Sequence, residues 1–354
     1  MKNRRNRFED EGEQDVEIIL TPLIDTLLVL LVIFIVATPA ASYFVSINLP
    51  NGTFNTQKSK EESLCFAIDQ YWAIFNQSKK KITQKEMEEA AKKGIPVMVL
   101  DRPNPINGVV IDGPMLEEKW RSMVGYVNVP YCHGMTVGEL STYFNEEHKI
   151  GCDLHVVPMK GWYRTMSFSD TGLAWIPTSP NIPEATTPLY YPTTGLIGEL
   201  HFMNIGIGYT LPFKVVGAPW IDAKKFAEKL NAQKFPGVYF EPFYYRPFFG
   251  RFSQEDCQGV LIIVSNPRIY QPVSTQYLLI GMLKGLYPTQ FREALDEFKP
   301  RKEMFCKVNG TEEIYRLVTQ EKNIVWKLKG VHEKEREEFK RLRKKYLIPA
   351  YSED

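Results

Sequence analysis

The sequence predicts an α/β protein entered through one membrane-spanning helix. Three observations predict it. Residues 18–42 contain a helix-length apolar stretch, "PLIDTLLVLLVIFIVATPAAS" from Pro22 to Ser42. Residues 81–100 read as helix, glycine turn and apolar strand. Helix then strand recurs further on, in "TVGELSTYFNEE" followed by "LHVVPM". Alternating helices and strands are the pattern of layered α/β domains.

Lys2, Arg4, Arg5 and Arg7 precede the apolar stretch, and the next basic residues after it are Lys58 and Lys60. The excess of positive charge before the helix places the N-terminus, residues 1–17, in the cytoplasm and the rest outside. A bilayer core needs about 20 largely apolar residues. The wholly apolar run, Leu27 to Ala37, is shorter, so a cleaved leader is the competing reading. The acidic tail "FEDEGEQDVE" and Asp25 favour an uncleaved anchor. Asp25 is a carboxylate inside that anchor. Such a group either faces a protein interior or water path, where it can bind and release a proton, or sits at the helix end and reaches the interface.

After the anchor, "NGTFNTQKSKEES" is polar and turn-rich and reads as a linker. "LCFAI" and "YWAIF" are short strand candidates. Thr83 caps a helix over "QKEMEEAAKKG", with Gly94 as its stop. The continuous apolar run "IPVMVL" predicts a strand buried on both faces. That strand is also available to pair with the strands before it.

The candidate site begins where that strand ends. Ligands in α/β sheets gather beyond the carboxyl ends of strands. Asp101, Arg102, Asn104 and Asn107 stand there, in a loop whose path Pro103, Pro105 and Gly108 set. Asp101 and Arg102 could also simply pair with each other. Thr136 and Glu139 have the spacing of a capping box, which explains Glu139 without function. His133 precedes the cap, as an acid–base group or a loop histidine. Past "LHVVPM", Trp162 could stack on a sugar and Arg164 could bind a carboxylate. Equally, Trp162 could be core and Arg164 surface. Asn181 and Glu199 lie in Pro-bounded loops.

"NIGIGYTLPF" is glycine-rich but lacks the strand-to-helix setting of a nucleotide loop, and reads as close backbone packing. "VYFEPFYYRPFFGRF" is dense in aromatics; it suits a sugar groove or, more simply, core and loop packing. "QGVLIIVSN" is a strand, and "TQYLLIGMLKGLYP" and "TQFREALDEF" are helices. The final helix, "VHEKEREEFKRLRKKYLI", aligns Phe339, Leu342 and Tyr346 on one apolar stripe and leaves a solvated basic face.

Composition limits the functions available. The net charge is +1, with basic residues scattered outside the termini, so no nucleic-acid partner is expected. The five cysteines form no C-x-x-C pair, so no metal site is expected and most should be buried free thiols. No cofactor motif is present either.

Two resemblances add to this reading. Residues 8 to about 90 resemble the ExbD/TolR family of proton-driven transducer subunits. The residues that carry it are "TPLIDTLLVLLVIFIVATP", "INLPNG" and "CFAIDQYWAIFNQSKKKITQKEMEEA". The resemblance implies a proton-binding role for Asp25, an ExbB/TolQ-like membrane partner, self-association through the anchor, and a truncated periplasmic segment over 43–90. Residues from about 88 to 349 resemble a family of exo-β-N-acetylmuramidases acting on peptidoglycan fragments. Here the matching segments are "GIPVMVLDRPNPINGVVIDGP", "VPYCHGMTVGELSTYFNEE", "DLHVVPMKGWYR", "FSDTGLAWIPTSPNIP", "GAPWID" and "CQGVLIIV".

That second resemblance implies the C-terminal part of a Rossmann-like plus α/β muramidase-type fold over 91–350, with the N-terminal sheet incomplete. The family's "SPEHG"-type motif, which carries its proposed catalytic Glu, does not occur in this chain, so impaired catalysis is expected. Ile207 stands where the family's glycine-rich loop usually has Arg. Remaining carboxylates are Asp101, Asp112, Glu139, Asp170 and Glu199. The implied location is the bacterial inner membrane, single-pass, with the C-terminal domain periplasmic. The two resemblances meet near "EMEEAAKKGIPVMVLD", and a gene fusion or a gene-model artefact, without a function of its own, is the further alternative.

Overall fold

A computed structural model describes residues 64–66 and, from 86 to 352, all but 123, 126 and 298–300. The predicted anchor with Asp25 lies outside the described residues, as do Thr83 and the "YWAIF" strand candidate. Among the described residues no helix is long and apolar enough to cross a membrane.

The first sheet holds three parallel strands in the order β1 (Leu64–Phe66), β2 (Val97–Leu100), β3 (Leu154–Val157). Helix α1 (residues 86–93) leads into β2 through Gly94, whose φ of 64° ends the helix as the sequence requires. Helix α2 (Val137–Glu147) connects β2 to β3. β1 comes from the ExbD/TolR-like stretch and pairs in register with β2, Leu64 opposite Val97 and Phe66 opposite Val99. The sheet therefore bridges the point where the two resemblances meet.

The expectation that β2 is buried on both faces is corrected. Val97 and Val99 are 2% and 0% exposed, but Met98 and Leu100 are 40% and 39% exposed. Val97 and Val99 share a small core with Met87 and Ala90 of α1 and with Val137 and Val156. A layer covers that face alone among the described residues, so an apolar run that reads as doubly buried is buried on alternate residues.

The second sheet is antiparallel, in the order β4 (Val215–Ala218), β6 (Cys257–Val264), β5 (Val238–Tyr245). Before it come two short helices, α3 (Thr187–Tyr190) and α4 (Leu196–Gly198), joined by a π-turn. Helix α5 (Ala223–Asn231) packs Phe226, Ala227 and Leu230 into the largest core, which it shares with Phe240, Val260 and Ile262. Helix α6 (Pro272–Leu286) crosses that core with Leu278, Leu279, Ile280 and Leu283. Five further helices follow: α7 (Pro288–Glu297), α8 (Lys302–Asn309), α9 (Glu313–Gln320), α10 (Ile324–Gly330) and α11 (Glu333–Leu342). Phe339 and Tyr346 are buried against α2, while Leu342 is exposed. The stripe fails at Leu342 because the inward position one turn after Phe339 falls to Arg343, which is buried and opens the 3-10 turn Arg343–Tyr346. Cys132, Cys152, Cys257 and Cys306 are buried thiols that form no disulfide.

Candidate active site

The carboxyl end of β2 delivers Asp101 into the interior. Its Oδ1 accepts from the Arg102 and Gly138 amides at 2.9 and 2.8 Å. Its Oδ2 accepts from the Thr136 and Tyr351 hydroxyls, both at 2.7 Å. Burial pushes the Asp101 carboxyl above its ordinary range, and these four bonds oppose the shift. The approach demands glycine at 138, because a Cβ there would lie 2.5 Å from Val156 Cγ1 and 2.9 Å from Asp101 Cγ.

Thr136 opens α2 with the predicted capping box. Its hydroxyl accepts from the Glu139 amide, and Glu139 Oε2 accepts from the Thr136 amide at 3.0 Å. Glu139 does more than cap. Its side chain is fully buried and forms a two-pronged ion pair with Arg164, with Nη1 to Oε2 at 3.2 Å and Nη2 against Oε1. The Ile348 amide donates to Oε1 at 2.8 Å. Arg343 lies close by, with Nη1 donating to the carbonyls of His133 and Gly134 at 3.0 and 2.6 Å. Burial, and repulsion from Arg164, lower its pKa to about 10.

Trp162 is buried edge-on to Tyr351, centroids 5.0 Å apart. The Tyr351 hydroxyl also accepts from the Met159 amide at 2.8 Å. Asn104 donates to the Met135 carbonyl and accepts from the Ile106 amide, both at 3.0 Å. Asn107 is buried, accepts from the Val109 and Val110 amides and donates to the Pro267 carbonyl. His133 is half-buried, and its Nδ1 accepts from the Met135 amide at 3.1 Å. Arg102 is half-buried, and its guanidinium has no partner among the described residues.

The structure thus gathers Asp101, Arg102, Asn104, Asn107, His133, Trp162 and Arg164 around one strand end. Asn181 and Glu199 make no hydrogen bond or ion pair with that group. Asn181 is half-buried in a loop where its amide donates to Ser179 Oγ. Glu199 follows α4, half-buried and 3.9 Å from Arg301. Burial raises its pKa and Arg301 opposes the rise. Asp112 caps α6 from a distance, accepting from the Ser274 amide and hydroxyl at 2.8 Å. Asp170 accepts from the amide and hydroxyl of Ser167 in an exposed turn.

Sequence reasoning missed Tyr351, Ile348 and Arg343. All three come from the last dozen residues and meet partners 209 to 250 positions earlier. The signal that could have found Arg343 is its place one residue past the Phe339–Leu342 stripe; Tyr351 carries none.

The family description "Exo-beta-N-acetylmuramidase NamZ, N-terminal" matches residues 81–186, and its C-terminal counterpart matches residues 189–348. The chain is 40% identical over 265 residues to the peptidoglycan beta-N-acetylmuramidase NamZ of Bacillus subtilis, covering 74% of this chain and 61% of that protein. The chain therefore spans less than two thirds of that curated relative. A crystal structure of a DUF1343 family protein from Bacteroides fragilis superposes with a TM-score of 0.70 at 38% identity, covering 74% of this chain and 68% of that one. A second from the same organism gives 0.55 at 26% identity, covering 77% and 71%. The biopolymer transport protein ExbD of Escherichia coli is 42% identical over 61 residues, which is 17% of this chain and 43% of that protein.

Proposed function

Because the chain belongs to the exo-beta-N-acetylmuramidase NamZ family, we propose that it recognises N-acetylmuramic acid ends of peptidoglycan fragments and hydrolyses them weakly. One observation carries the second half of that statement. Glycoside cleavage ordinarily needs an acid and a second carboxylate acting as base or nucleophile. Of the five carboxylates weighed from the sequence, Asp101, Asp112 and Glu139 are buried and spend their oxygens on internal hydrogen bonds. Asp170 holds an exposed turn. Glu199 alone among the five combines partial exposure with a carboxyl that burial pushes above its ordinary range, and it is the candidate for the acid. Arg102, at the strand end and without a guanidinium partner among the described residues, supplies a cation for the substrate's carboxylate.

In this proposal residues 18–42 anchor the chain in the bacterial inner membrane and the muramidase-like part is periplasmic. The test is release of N-acetylmuramic acid from a chromogenic muramide by the full-length chain. Turnover at least a hundredfold below that of a full-length relative is expected. Turnover equal to the relative's would overturn the impaired reading.

The ExbD likeness supports a second reading, in which Asp25 binds protons for an ExbB/TolQ-like partner. Asp25→Asn should then abolish a proton-motive-force-dependent phenotype, and the partner should co-purify with the chain. An unchanged phenotype and no partner would end that reading.

A further inference from the structure

Phe248 and Phe249, in the loop between β5 and β6, are 71% and 60% exposed. Their exposure does not reflect a loose backbone. The Phe248 amide donates to the Gly208 carbonyl at 2.7 Å, and the Gln254 amide to the Pro247 carbonyl at 2.8 Å. Ser253 Oγ donates to the Phe248 carbonyl at 2.8 Å, and Asn204 Nδ2 to the Arg251 carbonyl at 2.9 Å. Gly208 has a φ of 87°, and a Cβ there would lie 1.9 Å from the Phe249 carbonyl oxygen. The glycine-rich stretch therefore exists to let the aromatic loop approach. Phe252, in the same loop, turns inward against the cluster of Val215, Tyr245 and Cys257. The backbone that carries the two exposed rings is thus held by a loop that has already satisfied its own packing. Apolar surface held in water this way marks a contact site.

We propose that Phe248 and Phe249 form an aromatic platform that seats the apolar face of a sugar ring in the peptidoglycan glycan strand. It rests on the peptidoglycan-directed reading above and assigns it a second contact region. Size decides against a protein partner. Two rings of roughly 200 Å² each fall well short of the about 800 Å² per partner that a stable protein interface buries. Charge decides against an anionic membrane. Arg246 is held by Asp256 at 2.8 and 2.7 Å, and Arg251 by Glu297 at 3.3 and 3.1 Å, so the loop's cations are already neutralised. Surface binding to anionic lipid needs unpaired basic residues beside the apolar ones. A flat ring face, negative by its quadrupole, suits the C–H bonds on one side of a pyranose.

The full chain in neutral-lipid nanodiscs is titrated with peptide-free glycan fragments of peptidoglycan. The Phe248→Ala/Phe249→Ala double variant should bind at least tenfold more weakly, with an unchanged thermal midpoint. Phe249→Trp should bind as the unaltered chain does. If the double variant melts early, Phe248→Ala and Phe249→Ala singly, each about threefold weaker, decide the matter. Equal binding by the unaltered chain and the double variant overturns the platform and leaves the peptidoglycan reading standing. No binding by the unaltered chain overturns both. Loss of binding to anionic vesicles, with glycan binding intact, would instead assign the loop to a membrane.

Discussion

Glu139 shows what one residue can hide. Its spacing from Thr136 made the capping box legible, and the structure contains it. The same carboxylate also meets Arg164, 25 residues on, in a pair that water barely reaches. Nothing local in the sequence announces that pairing, because it depends on where β3 sends the chain. Removing one partner of a buried ion pair strands the other charge, which costs about 3–5 kcal/mol, whereas replacing both with apolar groups of similar size is often near neutral. Arg164→Met should therefore lower stability by about that amount in urea denaturation. Arg164→Met combined with Glu139→Gln should recover much of it. Equal losses in the two variants would mean that the pair matters through the amides it binds and not through charge. Trp162 and Asn107, read as possible substrate contacts, lie in the interior, where their size and polarity serve the loop around Gly108.

At the scale of elements, helices were easier to read than sheets. A helix declares its start by a cap and its face by a stripe within a dozen residues. The capping box at Thr136, the Gly94 stop and helices α6 and α7 all follow from such local signals. A strand's burial depends on which layers cover it, and "VMVL" carries no mark of that. Val97 and Val99 found a helix to cover them; Met98 and Leu100 did not. The glycine-rich stretch shows the same division. Close backbone packing was legible in "NIGIG", but its partner, the loop at Phe249, was not. Gly208→Ala forces both an unfavourable φ and a collision with backbone. It should cost more than about 1 kcal/mol and lower the thermal midpoint. An unchanged midpoint would show that the loop can move aside.

Across the whole molecule, the last turns of the chain tie the N- and C-terminal family regions together. Arg343, Ile348 and Tyr351 bond to the carbonyls of His133 and Gly134, to Glu139 and to Asp101. Deleting residues 343–354 leaves buried acceptors short of donors, each worth about 1–3 kcal/mol. The truncated chain should unfold at markedly lower denaturant concentration, or fail to accumulate folded. A midpoint equal to that of the full chain would show that the tail is dispensable. By itself, the sequence determined the α/β class, the order of most elements, the capping box and the family to which residues 81–348 belong, because local periodicity and short motifs carry these. Only the tertiary structure decided that Asp101 and Glu139 turn inward, that the Arg102 guanidinium has no partner among the described residues, and that the strand at Leu64–Phe66 joins the sheet begun at Val97. Those outcomes depend on contacts between residues tens to hundreds of positions apart, whose geometry no local pattern encodes.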